Sequence, residues 1–349
     1  MKTSPFIYGK TVSTISFTNR DTESKKLYDN LTNGVNTMIL SPRRWGKSSL
    51  VEKVVSDMKL KNKNLKILII DLFAVSCEEE FLEKFAREVI KASSSKWQEW
   101  VKTGKDFFKM LLPKINIGID PVNDFSLSFD WQELKKYSDE ILNLPEIIAD
   151  KKGFKFIICL DEFQNIASFN GYDILEKKMR AVWQRQKSVT YCLYGSKRHM
   201  MSEIFNNASR PFFRFGDMML LQKIEISKWV PFITKGFTDT GKQIGEAYAE
   251  QISLIMKNHS WYVQQLAHYT WNLTSKIATG TTINKALDEL IYANSPFYQK
   301  EIESISLTQI NVLKAVIQKA TQLTSSRIMQ EYHLGTPRNV SKNKAILIN

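Results

Sequence analysis

"MILSPRRWGKSSLVEKV", residues 38–54, contains the clearest indication of how this chain folds. An apolar run ends at Ser41, a short loop with two arginines and a tryptophan follows, and Gly46 and Lys47 open a segment with helical periodicity. A strand, a loop and a helix in this order bind phosphate, because backbone N–H groups of the loop and of the helix N-terminus point at anionic oxygen atoms. The stretch therefore predicts a nucleotide-binding α/β domain.

The loop matches the Walker A pattern G-x-x-x-x-G-K-[ST] except that Ser41 stands at the first glycine. In such a loop Lys47 reaches the β- and γ-phosphate oxygens, and the hydroxyl of Ser48 coordinates Mg²⁺. A chance Gly-Lys-Ser at a helix start is the alternative, and the preceding strand argues against it. The candidate nucleotide-binding residues are Ser41, Pro42, Arg43, Arg44, Trp45, Gly46, Lys47, Ser48 and Ser49.

A second motif, "FKFIICLDEFQNIA" at residues 154–167, ends an apolar run with Asp161 and Glu162. This is the Walker B arrangement, in which Asp161 holds the Mg²⁺ shell and Glu162 orients or deprotonates the attacking water. A strand that simply ends in solvated acids is the alternative. The presence of the phosphate loop favours the functional interpretation.

Strands and helices alternate through the first two thirds of the chain. The periodicity predicts strands at residues 37–40, 66–72, 154–161, 189–195 and 218–223, and helices at residues 48–60, 79–93, 173–186 and 197–206. Strands separated by helices indicate a parallel sheet covered on both faces. Strict alternation on either side of a turn at residues 114–130 predicts a β-hairpin inserted between two α/β units.

The C-terminal part is predicted to be helical, at residues 242–257, 260–277 and 283–293. Ser306 and Gln309 form a capping-box pattern, and Thr336 and Pro337 open a last helix after a glycine turn. Helix, turn and helix predict a winged-helix-like segment that is either truncated before its wing or atypical. The predicted domains are a P-loop NTPase domain at 1–225, a helical lid at 226–300 and this segment at 301–349.

Composition restricts the class of protein. The net charge of +13 favours nucleic acid or nucleotide phosphates as partners, or reflects a lysine-rich solvated surface, since the basic residues are spread along the chain. Cys77, Cys159 and Cys192 lie far apart and lack zinc-site spacing. The longest apolar stretch, about ten residues, is shorter than the roughly 20 that cross a bilayer. We therefore expect a cytoplasmic protein without a membrane partner.

The stretches "SPRRWGKSSL", "CLDEFQNIA" and "YGSKRHMMSEIF…RPFFRFGD" resemble the archaeal-type ATPase family of the AAA+ and STAND P-loop proteins, and the resemblance covers about residues 10–340. It implies ATP and Mg²⁺ as cofactors. "FTNRDTESKKL" is similar to the family's N-terminal element beside the nucleotide base, which places Arg20 there. Ser196 occupies the sensor-1 position, where a helix N-cap is the alternative role.

The resemblance further implies an arginine finger at Arg214, with Arg210 in reserve. A surface arginine or an ion pair is the alternative for either one. An arginine supplied in trans requires at least a transient homo-oligomer. In the lid the sequence departs from the family, because Asn258, His259 and Ser260 stand where related proteins carry a sensor-2 arginine or a G-x-P. Trp261, Tyr262 and Trp271 are interpreted as packing of a helical core rather than as stacking on a base.

Two functions follow as hypotheses. The first is Mg²⁺-dependent hydrolysis of ATP to ADP, slow without a partner, whose energy drives a conformational or assembly switch. Lys47, Glu162, Ser196 and Arg214 would be its catalytic residues, and Ser48 and Asp161 its metal ligands. The second is a nucleotide-gated DNA-binding regulator with slow hydrolysis. Its last helix carries side chains suited to bases and phosphates, or to a protein partner, at Arg338, Asn339, Ser341, Lys342 and Lys344. A third and weaker interpretation is a P-loop kept only as a scaffold.

Overall fold

The computed structural model describes residues 3–10, 20–62, 64–93, 115–118, 126–129 and 136–348. Backbone contacts divide the chain into two compact units, Met1–Thr279 and Gly280–Asn349. Among the described residues, no helix is both long enough and apolar enough to span a bilayer.

The described helices and strands are named here in chain order. The helices are α1 (Asp21–Thr32), α2 (Lys47–Lys61), α3 (Glu78–Ser93), α4 (Ser138–Lys152), α5 (Tyr172–Trp183), α6 (Arg198–Asn206), α7 (Ile226–Asp239), α8 (Glu246–Ile255), α9 (Ser260–Leu273), α10 (Gly280–Glu303), α11 (Leu307–Ile317), α12 (Ser326–Glu331) and α13 (Pro337–Ile348). The strands are β1 (Thr37–Leu40), β2 (Leu65–Asp71), β3 (Ile115–Gly118), β4 (Ser126–Phe129), β5 (Lys155–Asp161), β6 (Val189–Gly195), β7 (Asp217–Leu220), β8 (Gln243–Ile244) and β9 (Ile277–Ala278).

Five parallel strands form the central sheet, in the order β2-β5-β6-β1-β7. In the register of this sheet Asp71 lies opposite Asp161, and Leu40 lies opposite both Gly195 and Leu220. The carboxyl ends of β1, β5 and β6 therefore meet at one edge. In open α/β sheets that edge is where ligands bind.

Helices cover both faces of the sheet, as the alternation predicts. On one face α1 and α2 pack through Leu27, Leu50 and Val54 against the strands. On the other face an aromatic cluster includes Trp183, whose ring stacks on Tyr191 at 4.1 Å. Because β1 and β6 are buried on both faces, every residue in them is buried, which explains their nearly continuous apolar sequences.

Three helices were absent from the sequence prediction. Pro145 lies inside α4 and Pro231 inside α7, and each removes a backbone donor and so weakens the helical signal. In α1 only Leu27 and Leu31 are buried, so its apolar pattern is sparse. Tertiary packing of these helices outweighs the local signal.

Two predicted helices are shorter than the periodicity suggested. The prediction of a helix at 242–257 is corrected to α8, and that at 260–277 to α9. The reason is a short parallel pairing in which the backbone N–H of Gln243 donates to Lys276 O at 2.8 Å, beside the bridge of β8 with β9. Likewise the strand predicted to reach residue 223 ends at Leu220.

The predicted hairpin insertion is present in its two strands. β3 pairs antiparallel with β4, and Ile115 lies opposite Phe129. The turn predicted between them, at residues 119–125, lies outside the described residues.

The second unit consists of helices α10 to α13 in its described part. The capping box predicted at Ser306 is confirmed: Gln309 N donates to Ser306 Oγ at 3.3 Å, and Ser306 N donates to Gln309 Oε1 at 2.7 Å. At the start of α13, Asn339 N donates to Thr336 Oγ1 at 3.3 Å. A small core of this unit holds Val312, Ile328, Leu334 and Val340. Helix α10 runs through the boundary predicted between residues 300 and 301, and the division into three domains stays a prediction.

Candidate nucleotide-binding site

The loop between β1 and α2, the candidate phosphate-binding loop, contains two residues with positive φ. Gly46, immediately before α2, has a φ of 90°, in the left-handed region that favours glycine. Arg44 also has a positive φ, of 64°. A Cβ added at Gly46 would meet no atom within 4 Å, so glycine is required there by backbone conformation and not by lack of space.

Lys47 lies inside the loop that it follows. Its side chain is buried, and Nζ donates to Ser41 O at 3.2 Å and to Pro42 O at 3.3 Å. Burial lowers the pKa of Lys47, although the charges of Glu162 and Asp161 oppose this. The ammonium group is therefore held by the loop carbonyls at the wall of the cavity described below.

Ser48 and Asp161 form a pair of oxygen donors at the carboxyl end of β5. Ser48 Oγ donates to Asp161 Oδ2 at 2.9 Å, and the backbone N–H of Glu162 donates to Oδ1 at 2.7 Å. The pKa of Asp161 is raised to about 6, mainly by burial and also by the charges of Glu162 and Asp71, although these two hydrogen bonds oppose the rise. A hydroxyl beside a desolvated carboxylate fits Mg²⁺, which prefers hard oxygen ligands.

Glu162 is fixed by hydrogen bonds on one side of its carboxylate. Oε2 accepts from Ser196 Oγ at 2.9 Å, from Ser196 N at 3.3 Å and from Gln164 Nε2 at 2.5 Å. Burial alone would raise the pKa of Glu162, but these donors and the charge of Lys47 outweigh it and hold the pKa below its usual value. The group is therefore an ionised carboxylate that can accept a proton or orient a water.

These residues surround a cavity of about 370 Å³, within the range of about 300–1,000 Å³ that small-molecule sites occupy. Eight lining residues were predicted from the motifs: Arg43, Arg44, Gly46, Lys47, Ser48, Ser49, Glu162 and Ser196. Seven were not: Ile7, Tyr8, Gly9, Lys10, Ser260, Trp261 and Gln264. The unpredicted wall comes from an N-terminal segment and from α9, far apart in sequence.

Trp261 belongs to this wall and not to a helical core, which corrects the sequence interpretation. The Arg44 guanidinium lies 4.5 Å from the centre of its ring, and a Cβ added at Gly9 would lie 3.9 Å from it. One turn further along α9, Gln264 Oε1 accepts from Ile7 N at 3.0 Å and ties the N-terminal segment to the helix. Trp271, by contrast, is buried and donates through Nε1 to Thr240 Oγ1 at 2.8 Å.

Arg20 supports the loop from outside the cavity. It is only 2% exposed, and its Nη2 donates to Trp45 O at 2.9 Å and to Gln222 O at 3.0 Å. Its Nη1 pairs with Glu23 at 2.8 Å. The predicted role beside the nucleotide base thus becomes, in this geometry, a bridge between the phosphate loop and the chain that leaves β7.

The two candidate finger arginines lie apart from the cavity and differ in their contacts. Arg210 pairs with Asp173 at 2.8 Å and with the buried Glu176 at 3.4 Å. Arg214 is exposed, has a φ of 53°, and stacks on Phe213 with its guanidinium 5.2 Å from the ring centre. Among the described residues Arg214 has no ion-pair partner, so its charge is available to another molecule.

Neither a protein-family model nor a curated protein matches this sequence. Solved structures do match over nearly the whole chain. A Walker-type ATPase of Pyrococcus abyssi, PabY2304, is 16% identical, covers 97% of this chain and 93% of its own, and superposes with a TM-score of 0.62. The ORC2 protein of Aeropyrum pernix in its ADPNP–ADP complexes is 14% identical over 94% and 84% of the two chains, with a TM-score of 0.58.

The ORC1 protein of Aeropyrum pernix in complex with DNA is a third match, 10% identical over 97% of this chain and 84% of that one, with a TM-score of 0.53. The superpositions show a common fold, whereas sequence identities this low do not show a common activity. The chain therefore shares the fold of these solved structures, and it has the α/β domain with a parallel sheet that its motifs predicted.

Proposed function

We propose that the protein binds ATP with Mg²⁺ and hydrolyses its β–γ bond, using the energy for a conformational or assembly switch. The observation that carries this proposal is the convergence of two separate motifs: Lys47, Ser48, Asp161, Glu162 and Ser196 come together at one cavity edge. Phosphoryl transfer depends mainly on positioning and on charge stabilisation, and this arrangement provides both.

Each residue has a role that follows from its contacts. The loop amides and Lys47 bind the phosphates, with Lys47 neutralising charge on the β- and γ-oxygens. Ser48 and Asp161 would hold Mg²⁺, which when bound neutralises phosphate charge and orients the transferred group. Glu162 accepts the hydrogen bond of the attacking water and takes its proton, and Ser196 keeps that carboxylate in place.

We further infer that Arg214, not Arg210, acts as the arginine finger. Arg210 is held between Asp173 and Glu176, and removing it would leave Glu176 as an unpaired buried charge. Arg214 is exposed and lies away from the cavity of its own chain. It would therefore serve a second copy of the protein, in an assembly that is at least transient.

Replacing Glu162 by Gln tests the proposal. The amide cannot take a proton from water, so ATP should bind with unchanged affinity while turnover falls by about 10²–10⁴-fold, the usual contribution of a general base. Binding is measured by calorimetry and hydrolysis by phosphate release, with Lys47→Ala as the control that loses binding. Undiminished turnover in the Glu162→Gln variant would contradict the assignment.

A second candidate function is a nucleotide-gated DNA-binding regulator. It is favoured by α13, whose Arg338, Lys342 and Lys344 are exposed on a helix that follows a glycine turn, and by the net charge of +13. Fluorescence anisotropy with duplex DNA, with and without a non-hydrolysable ATP analogue, tests it. Affinity that depends on nucleotide and falls steeply with salt would favour this function.

A further inference from the structure

Gln164 is a buried polar side chain that apolar packing does not explain. It follows Glu162 by two residues, in the short 3₁₀ helix Phe163–Ser168, and is 1% exposed. Its Nε2 donates to Glu162 Oε2 at 2.5 Å, while its Oε1 is buried without a hydrogen-bond partner among the described residues. A buried amide with an unsatisfied oxygen is costly, so a contact that needs this side chain has to be sought.

The space for Gln164 is made by a glycine at the end of β6. A Cβ added at Gly195 would lie 1.8 Å from Gln164 Oε1 and 3.1 Å from Met201 Sδ. The φ of Gly195 is not positive, so glycine is required there by lack of space and not by backbone conformation. The Gln164 amide therefore occupies space that any side chain at position 195 would fill, so its position depends on the glycine there.

In this position Gln164 helps to fix the Glu162 carboxylate through only one of its two oxygen atoms. The three donors on Glu162 come from Ser196 and Gln164, and all three bind Oε2. No described residue donates to Oε1, and Glu162 lines the cavity. Oε1 is thus the oxygen available to a water molecule beside the γ-phosphate.

We propose that Gln164 is a positioning residue for the hydrolytic step. Its hydrogen bond to Oε2 of Glu162, together with those from Ser196, holds the carboxylate in one rotamer. In that rotamer Oε1 faces the attacking water. Without this contact the Glu162 side chain would populate several rotamers. The carboxylate would then be correctly placed as a base in only a fraction of the molecules that have bound ATP. The proposal rests on the ATPase function proposed above.

The test replaces Gln164 by Met, which has similar length and no donor. We expect kcat to fall about tenfold, which corresponds to an increase of about 1.4 kcal/mol in the activation barrier, with KM for ATP unchanged. Gln186→Met is the matched control. Gln186 is half-buried, donates to Leu142 O at 3.0 Å and accepts from Tyr191. It precedes the amino end of β6, whereas the site lies at the carboxyl end. It should lose thermal stability without a change in kcat.

A double variant separates positioning from general damage. If Gln164 acts only through Glu162, then Gln164→Met should cause no further loss of residual turnover in a Glu162→Gln background. A structural defect would lower turnover in both backgrounds. Equal fractional losses in the two backgrounds, a raised kcat in Gln164→Met, or a change confined to KM would each overturn the proposal.

A second pair of variants guards against misfolding of Gln164→Met. Gln164→Glu keeps the volume and removes the amide donor, and Gly195→Ala keeps the amide but takes its space. Both should show the same fall in kcat with KM unchanged, and unchanged kcat in both would reject the inference. A wild-type protein that binds ATP but shows no turnover above the Glu162→Gln variant would instead reject the ATPase function itself, and with it this inference.

Discussion

At the scale of single residues, the site depends on backbone atoms held by buried charge. The Arg20 guanidinium satisfies two carbonyl groups, of Trp45 and Gln222, that belong to segments almost 180 residues apart. Burial lowers the pKa of Arg20, although the pairing with Glu23 opposes this. A buried cation of this kind persists because both Nη1 and Nη2 have oxygen acceptors.

Replacing Arg20 by Met should destabilise the first unit. Each buried carbonyl left without a donor costs about 1–3 kcal/mol, so we expect a loss in melting temperature of at least about 4 °C and a weaker affinity for ATP. Scanning calorimetry and ATP titration measure the two effects. Arg185→Met, at an exposed position after α5, is the control that should change neither. An unchanged melting temperature would show that the bridge contributes nothing.

Some residues of the candidate site could be predicted from local sequence motifs, and others could not. Lys47, Ser48, Asp161 and Glu162 were identified because each motif is local, and its chemistry follows from residue types at fixed spacing. Trp261 and Gln264 were not, since nothing in the sequence brings them to residues 7–10. Gln164 was visible within "DEFQN", but the role proposed for it follows only from its contact with Glu162 and from the lack of a side chain at Gly195.

At the scale of elements, two histidines with lowered pKa values belong to α9 and its N-cap: His268 lies in the helix, and His259 immediately precedes it. Burial is the main cause for both, reinforced at His259 by the charges of Lys223 and Arg44. The Asn272 amide lies 2.9 Å from His268 Nε2, a contact that suits a neutral ring accepting at this nitrogen. Protonation of either ring is therefore disfavoured in the folded protein.

Acidification should therefore lower the stability of the folded protein. As pH falls below about 6.5, the unfolded chain protonates these histidines before the folded protein does, so the free energy of unfolding decreases. Between about pH 7.5 and 5.5 we expect the melting temperature of the wild type to drop about 2–4 °C more than that of a His259→Gln, His268→Gln double variant. Equal drops in both proteins would contradict the burial of neutral rings.

The capping box of α11 offers an element-level test in the second unit. Ser306→Ala removes the acceptor of Gln309 N and should reduce the free energy of unfolding by about 1 kcal/mol in urea titrations. Ser304→Ala is the control, because Ser304 Oγ donates to Glu301 O and caps no helix start. A cost as large in the control would show that the cap is unimportant.

Elements were predicted well where one pattern acts alone and poorly where patterns compete. The sequence pattern located α2, α3, β5 and β6 to within a few residues. Burial on both faces of the sheet gives β5 and β6 nearly continuous apolar sequences, and in α2 and α3 the buried residues recur at helical spacing. Helices α4 and α7 contain a proline, and the two-residue strands β8 and β9 exist only because distant segments pair. Such pairing is long-range packing, which a local pattern does not encode.

At the scale of the whole molecule, the strand order places β1 between β6 and β7. The phosphate loop after β1 therefore lies beside Ser196, which follows β6, and beside Gln222, which follows β7. The first unit thus contains all the residues proposed for hydrolysis, and of these Arg214 does not line the cavity. Arg214 lies three residues before the first residue of β7, on the amino side of that strand, and does not line the cavity of its own chain.

The proposed role of Arg214 in trans leads to a complementation experiment. Arg214→Ala should lower turnover by about 10³-fold, the scale of an arginine finger, and Lys47→Ala should abolish it through loss of ATP binding. In a mixture of the two variants, the intact Arg214 of one copy can serve the intact phosphate loop of the other. We therefore expect the mixture to regain a measurable part of wild-type turnover, increasing with protein concentration.

The control is a mixture of Arg214→Ala with the double variant Lys47→Ala, Arg214→Ala, in which no copy can supply the arginine. It should stay as inactive as Arg214→Ala alone. Size-exclusion chromatography with a non-hydrolysable ATP analogue would show whether the copies associate under the same conditions. If the copies associate and the first mixture stays inactive, Arg214 is not a finger in trans. If Arg214→Ala alone retains full turnover, the exposed guanidinium has no part in hydrolysis, and the switch would have to operate without this contact between copies.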